Sequence, residues 1–258
     1  MRVKPKKHLG QHFLKDDSIC LKIEQSISMH YDCENILEIG PGTGALTRHI
    51  INSKRHERFF VLEVDRDSIA FLKTNFKELS SGQVIEGDFL KYDSVALFQN
   101  KPFAVVGNFP YNISSQILFR CLELKDYIPE IVGMFQKEVA MRISKGPGKK
   151  QYGILSVFMQ AFYDVEYLFT VDENVFDPPP KVKSGVIRCK RNKRRELECD
   201  ELFFKKVVKT AFNQRRKTLR NSLKSISNGV ELPEKFSGER PERLSVDDFV
   251  ELTKVLSK

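Results

Sequence analysis

Apolar residues in the first two thirds of the chain come in short runs. Ile36-Leu37-Glu38-Ile39, Phe59-Phe60-Val61-Leu62-Glu63-Val64, Gln83-Val84-Ile85-Glu86, Phe103-Ala104-Val105-Val106-Gly107 and Ile128 to Phe135 are each the length of a strand. Between them, residues 45–53, 67–79, 113–124 and 137–144 carry apolar positions at helical spacing. Strands that are apolar throughout are buried on both faces, and strands alternating with helices predict a mostly parallel sheet covered on both sides. A helix at 153–163 and strands at 165–171 and 183–189 complete the sheet, the last two as an antiparallel pair. The fold class is α/β, with a mostly parallel seven-stranded sheet. Residues 190–196 form a charged linker, and 200–258 are helical with no strand signal. The expected division is a sheet domain at 1–192 and a small all-helical domain at 193–258. Two loops punctuate this plan. Lys145-Gly146-Pro147-Gly148-Lys149-Lys150 predicts an exposed, mobile loop, and Phe176-Asp177-Pro178-Pro179-Pro180 a stiff extended one.

Charge changes this picture. The 258 residues carry a formal net charge of +9, and 41% of them are hydrophobic, which excludes a disordered or fibrous chain. The excess is concentrated: residues 181–224 hold 16 Lys or Arg against 4 Asp or Glu, and residues 1–15 hold 5 basic residues and no acidic one. An acidic body with two basic patches attracts polyanions, nucleic acid first and an anionic membrane second, unless the patches are only solvated faces. No run approaches the roughly 18 apolar residues of a membrane span. The leading Met1-Arg2-Val3-Lys4-Pro5-Lys6-Lys7 has no apolar stretch after it, so no secretory signal is expected. Five cysteines without a CxxC pair argue against a disulfide framework or a zinc knuckle and fit a reducing, cytoplasmic setting. Histidines 8, 30, 49 and 56 form no ligand spacing, so no metal is expected.

The strongest local signal is Glu38-Ile39-Gly40-Pro41-Gly42-Thr43-Gly44, at a strand end and opening a helix. Gly40, Gly42 and Gly44 let the backbone turn sharply and approach a ligand closely. Glu63 ends the next strand, 23 residues after Gly40, where a carboxylate accepts bonds from ribose hydroxyls. Asp88, after the third strand, follows the same logic for an adenine amino group. Gly40-x-Gly42-x-x-Ala45 also satisfies the dinucleotide fingerprint, so NAD competes with S-adenosylmethionine, and a purely structural turn competes with both. Glu38 favours S-adenosylmethionine, because a carboxylate beside the loop suits a cationic amino-acid moiety and repels a pyrophosphate. NAD chemistry would also need a proton donor or metal beside the nicotinamide, and none is evident.

Asn108-Phe109-Pro110-Tyr111 follows the fourth strand, again at its carboxyl end. The exocyclic amine of adenine is a poor nucleophile because its lone pair is delocalised into the ring. A site that methylates it needs acceptors for both amine hydrogens. The Asn108 side-chain carbonyl and the Phe109 backbone carbonyl can serve, with Pro110 stiffening the turn and Tyr111 stacking on the base. No strong general base is required; positioning and pre-aimed dipoles carry the rate. The competing reading is an ordinary Asn-Pro turn with a core tyrosine. Phe176 is a candidate for the other face of an extruded base, or else a core residue.

On a helical projection Phe203, Val207, Val208, Ala211, Phe212, Leu219 and Leu223 share one side, and Lys205, Lys209, Arg216, Arg220 and Lys224 the other. Arg215 falls on the apolar side, which predicts a break near Asn213 or a buried partner for Arg215. The basic face would grip phosphates. Lys6, Lys7, Lys149, Lys150, Lys209, Arg216, Lys217 and Arg220 are the candidate RNA-binding residues.

Five segments occur in order: Lys6-Lys7-His8-Leu9-Gly10-Gln11-His12-Phe13-Leu14, Glu38 to Gly44, Asn108 to Tyr111, Phe176-x-Pro178-x-Pro180-x-Val182-x-Ser184, and Phe212-x-Gln214-Arg215-Arg216-Lys217-Thr218-Leu219. Together they resemble the small-subunit ribosomal RNA adenine N6,N6-dimethyltransferases over nearly the whole chain. The resemblance implies a Rossmann-like class I methyltransferase fold, S-adenosylmethionine as methyl donor, and two adjacent adenines near the 3′ end of the small-subunit rRNA as substrate. It implies four methyl transfers, a role in small-subunit assembly on rRNA or the assembling 30S particle, and action as a monomer. It also implies that Gln11, His12 and Leu14 line the methionine end of the cofactor and that Asn108 touches both cofactor and target. His12 alone would count as a surface or capping residue; only the run around it raises its standing. Phe109 departs from the leucine of many members, with little effect expected because its backbone carbonyl is the working group. Two rivals remain: the related 23S rRNA methyltransferases of antibiotic resistance, and a non-catalytic rRNA-binding assembly factor, which would have no need of Asn108 to Tyr111 or Glu63.

Overall fold

The computed structural model describes residues 3–80 and 82–257. Met1 and Arg2 of the leading basic run lie outside them. In chain order the elements are β1 (Phe13–Leu14), α1 (Asp17–Gln25), β2 (Asn35–Ile39), α2 (Ala45–Ser53), β3 (Arg58–Glu63), α3 (Arg66–Asn75), β4 (Val84–Glu86), α4 (Ser94–Leu97), β5 (Ala104–Asn108), α5 (Ser114–Glu123), β6 (Glu130–Gln136), α6 (Lys137–Ser144), α7 (Ile154–Phe162), β7 (Tyr163–Val171), β8 (Phe176–Asp177), β9 (Ser184–Arg191), α8 (Glu201–Asn213), α9 (Leu219–Ser222), α10 (Glu234–Ser237) and α11 (Val246–Leu256). They fold into two compact units. One runs to Ala140 and resumes over Val165–Arg191; the other holds Met141–Asp164 and the chain from Asn192 onward.

In the first unit seven strands pair in the order β4-β3-β2-β5-β6-β9-β7. The pairs β2–β3, β2–β5, β3–β4 and β5–β6 are parallel, and β9 enters antiparallel to β6. β9 therefore lies between β6 and β7. From β2 the chain winds to one side through β3 and β4, then crosses to β5 on the other side. The carboxyl ends of β2 and β5 thus flank the switch point, where doubly wound sheets bind ligands. Every residue of β2 is buried, as the apolar run required. The register sets Glu38 beside Val106 and Ile39 beside Leu62, so Glu38, Glu63 and Asn108 emerge along one sheet edge.

Two elements of this unit escaped the hydrophobic pattern. Helix α1 is started by Asp16, whose carboxylate accepts the Ile19 amide at 3.1 Å. The two-residue strand β1 pairs antiparallel with β8, Phe13 with Asp177 and Leu14 with Phe176.

The second unit is helical, but its boundary differs from the expected one. Helix α7, assigned by pattern to the sheet domain, belongs here. Leu155, Val157, Phe158, Met159, Ala161 and Phe162 are all buried, so α7 is apolar around its circumference and serves as a core helix packed against α8 and α11. Phe158 meets Phe204, and Phe212 lies between Tyr152 and Phe249. Helix α8 ends at Asn213, so the break exists, and Arg215 lies 3.6 Å from the Glu242 carboxylate, a partner that is half-buried rather than buried. The loop at 145–150 is anchored rather than loose. The Gly148 amide donates to the Glu242 carbonyl at 2.7 Å, and Arg215 donates to the Lys150 carbonyl at 2.7 Å. All five cysteines are free thiols. Among the described residues no helix is long and apolar enough to cross a membrane, and no three His, Cys, Asp or Glu side chains gather as metal ligands.

Candidate active site

A cleft of about 730 Å³, measured out to its open mouth, lies at the switch point. Its walls are the segment Leu9–Leu14, the turn from Gly40 into α2, the end of β3 at Glu63, and Asn108–Tyr111. The turn needs its glycines for conformation: Gly40, Gly42 and Gly44 have φ of 64°, 56° and 78°. Gly44 also needs its bareness, since a Cβ there would lie 2.3 Å from the Phe76 ring. Gly44 does not line the cleft; it aims α2 and packs it against Phe76.

Two carboxylates stand in the cleft wall. Glu38 is 2% exposed; one oxygen accepts the Thr47 hydroxyl at 2.7 Å, and the other makes no bond among the described residues. Burial, opposed by the Thr47 bond and reinforced by Glu63, lifts its carboxyl to about 8, so Glu38 is largely neutral at pH 7 until a cation joins it. Glu63 is 4% exposed and accepts amides from Gly42 at 3.1 Å, Val64 at 2.8 Å and Asp65 at 2.9 Å. Burial raises its carboxyl too, while those three amides favour the ionised form. The amides fix the carboxylate and leave it lone pairs for hydroxyl donors. Asp88 follows β4 but does not line the cleft; one oxygen accepts the Leu90 amide at 3.0 Å and the other has no partner among the described residues.

Asn108 ends β5. Its side-chain Nδ2 donates to the His12 carbonyl at 2.8 Å. A carbonyl oxygen can only accept, so this bond fixes which end of the amide is nitrogen. The amide oxygen accepts no bond among the described residues and remains available. Phe109 keeps its amide tied to Met134 at 3.2 Å, and its ring is buried. Pro110 and Tyr111 line the cleft with it. The Tyr111 ring stacks on His12 with centroids 5.5 Å apart, and its hydroxyl meets Ser184 Oγ at 2.5 Å.

The Leu9–Leu14 wall is held from outside. Gln11 donates to Asp65 at 3.1 Å and accepts the Lys6 amide at 2.8 Å; Lys6 pairs with Asp65 and lies 2.8 Å from Asp67. Burial works to raise the Asp65 carboxyl, but the bonds from Lys6, Gln11 and Ser68 outweigh it and hold it below the ordinary range. Pattern reasoning missed Asp65; its one signal is its place two residues after Glu63 at the same strand end. His12 Nδ1 donates to the Pro178 carbonyl at 2.7 Å, and Leu14 is buried.

One expected role fails on this geometry. Phe176 is 1% exposed, packed with Leu14, Val171 and Val186 in the core, so it presents no face for a base. Lys6 is paired with Asp65 and Asp67, which tie it to the wall. Lys7 is exposed in this unit. In the helical unit Lys149, Lys150, Lys209, Arg216, Lys217 and Arg220 are all exposed, while Val207, Val208, Ala211, Leu219 and Leu223 are buried.

A doubly wound sheet with this cleft at its switch point is the fold and site of a class I S-adenosylmethionine-dependent methyltransferase. The family model described as ribosomal RNA adenine dimethylase matches residues 2–258, and the chain belongs to that family. It is 55% identical over 254 residues to the ribosomal RNA small subunit methyltransferase A of Flavobacterium johnsoniae, covering 98% of this chain and 95% of that relative. It is 56% identical to the protein of the same name from Phocaeicola vulgatus, over 97% of this chain and 89% of the relative. Among solved structures, a dimethyladenosine transferase from Plasmodium falciparum shares the fold with a TM-score of 0.77 at 24% identity, covering 93% of this chain and 96% of that one. The 23S rRNA methyltransferase ErmE shares it with a TM-score of 0.70, also at 24% identity, covering 95% and 100%.

Proposed function

We propose that this chain dimethylates the N6 amines of two adjacent adenines near the 3′ end of the small-subunit rRNA, with S-adenosylmethionine as donor, during small-subunit assembly. The observation that carries this reading is Asn108: its nitrogen is committed to His12, so its oxygen is the end offered to the cleft. An amide oxygen fixed in this way accepts a hydrogen from an incoming amine without reorganising, and dipoles set before the reaction are the effective ones. The Phe109 carbonyl takes the second hydrogen, and Tyr111 supports the base.

The cleft suits the cofactor. Glu38 offers an unpartnered oxygen for a cationic amino-acid group, and Glu63 offers fixed lone pairs to ribose hydroxyls. Gln11, His12 and Leu14 supply the wall beside the methionine end, and the Asp88 carboxylate accepts from the amino group of the cofactor's adenine. When bound, S-adenosylmethionine supplies an electrophilic methyl group on a sulfonium that leaves as a neutral thioether. The protein therefore has to align, accept hydrogen bonds and exclude water, and no side chain has to act as a strong base. The exposed basic face of the helical unit, with Lys7, holds the RNA through phosphates while the cleft handles one base. The protein acts in the cytoplasm, on small-subunit rRNA or the assembling particle.

The similarity to small-subunit relatives at 55% identity favours this reading over a 23S enzyme, which the chain resembles in fold alone. Labelled S-adenosylmethionine incubated with undermethylated small subunits tests it. Label is expected in small-subunit rRNA; label confined to large-subunit RNA would overturn the reading. Asn108→Ala is expected to abolish transfer and keep rRNA binding. Joint loss of both would make Asn108 a structural residue.

A further inference from the structure

We propose that Ser184 is a positioning residue for methyl transfer, its buried hydroxyl holding Tyr111 in place at the cleft. The inference rests on the adenine-methylating reading of that cleft. Ser184 opens β9, is fully buried, and is fixed in register against Gln136. Among the described residues its Oγ has Tyr111 Oη, at 2.5 Å, as its only side-chain partner. A buried hydroxyl is costly unless bonded, so the pair fixes the phenol end of a half-buried ring. That ring stacks on His12, and the His12 ring is held by the Pro178 carbonyl at 2.7 Å. The segment 178–184 thus reaches both rings, one through a backbone carbonyl and the other through a hydroxyl. The His12 main-chain carbonyl in turn fixes Asn108 at 2.8 Å. Phe176 anchors this segment in the core, so the whole proline-rich stretch acts as a buttress, with Ser184 its contact on Tyr111.

A group that acts only by holding another alters turnover while leaving cofactor binding alone. Ser184→Ala should lower kcat on undermethylated small subunits by about 3- to 10-fold, the range of one neutral hydrogen bond. The KM for S-adenosylmethionine, the Kd for S-adenosylhomocysteine and the Tm should stay near wild type. Tyr111→Phe should also lower kcat, and the double variant should be no slower than Tyr111→Phe, because both remove the same bond. If Ser184→Ala melts well below wild type, Ser184→Cys, which fills the site with a slightly larger, weakly donating group, carries the same comparison. A kcat within twofold of wild type, or losses that multiply in the double variant, would overturn the proposal. Wild-type protein run in parallel separates the two levels: no label in rRNA from wild type sinks the adenine reading, whereas equal label from wild type and Ser184→Ala sinks this one alone.

Discussion

Gly133→Ala gives the sharpest test of how the sheet carries the chemistry. Gly107 and Gly133 face each other across β5 and β6, and the Phe109 ring lies in the slot between them. A Cβ at Gly133 would sit 2.2 Å from Phe109 Cε2 and 2.9 Å from Phe135 Cε2. Neither glycine has a positive φ, so alanine is excluded by space and not by conformation. Phe109 is 1% exposed and edge-on to Phe135, so its ring has no room to retreat. Overpacking of this kind costs about 1–3 kcal/mol. A loss of about 2 kcal/mol lowers Tm by roughly 4–8 °C in a protein of this size. Phe109 also sits inside Asn108–Tyr111, so a shift of its backbone should reduce kcat by about 10- to 100-fold while cofactor affinity holds. Thermal melts by circular dichroism and single-turnover methylation measure both. Adding Phe109→Leu removes the clashing ring atoms, so the double variant should melt above Gly133→Ala. A Gly133→Ala protein that melts and turns over like wild type would refute the reasoning, as would a double variant less stable than either single one.

Other expectations follow from the charges. Glu38 keeps its proton in the folded protein up to about pH 8, while the unfolded chain gives it up near 4.5, so stability without cofactor should fall as pH rises through that window. Glu38→Gln should flatten that part of the Tm curve; an unchanged slope would assign it to another group. Arg216→Ala should lessen the salt dependence of rRNA binding by about one phosphate contact, whereas Lys6→Met should leave it unaltered, because Lys6 is paired with Asp65 and Asp67. A reduced slope for Lys6→Met would return that residue to the RNA surface. Glu130 is fully buried and accepts the Ser28 amide, the Ser28 hydroxyl at 2.7 Å and the His30 amide at 3.3 Å, gathering a turn in which Met29, Tyr31 and Asp32 all have positive φ. Glu130→Gln should cost about 2 kcal/mol and lower Tm accordingly; no change would mean the turn holds itself.

The strands, the glycine turn and Asn108–Tyr111 were legible in the sequence because each is local. A run of buried β-branched residues has few alternatives to a central strand, and a glycine-rich turn at a strand end announces itself by composition. Lys6, Phe176 and α7 show where local reading stops. A lysine near the N-terminus looks like any phosphate binder until Asp65 and Asp67 are found beside it. A phenylalanine at a proline loop looks like a stacking face until the core closes over it. Helix α7 follows the sheet in the sequence but buries most of its circumference in the helical unit. What the sequence determined was therefore which groups reach the sheet edge; tertiary structure decided which of their charges and faces remain free, because pairing and burial depend on neighbours distant along the chain.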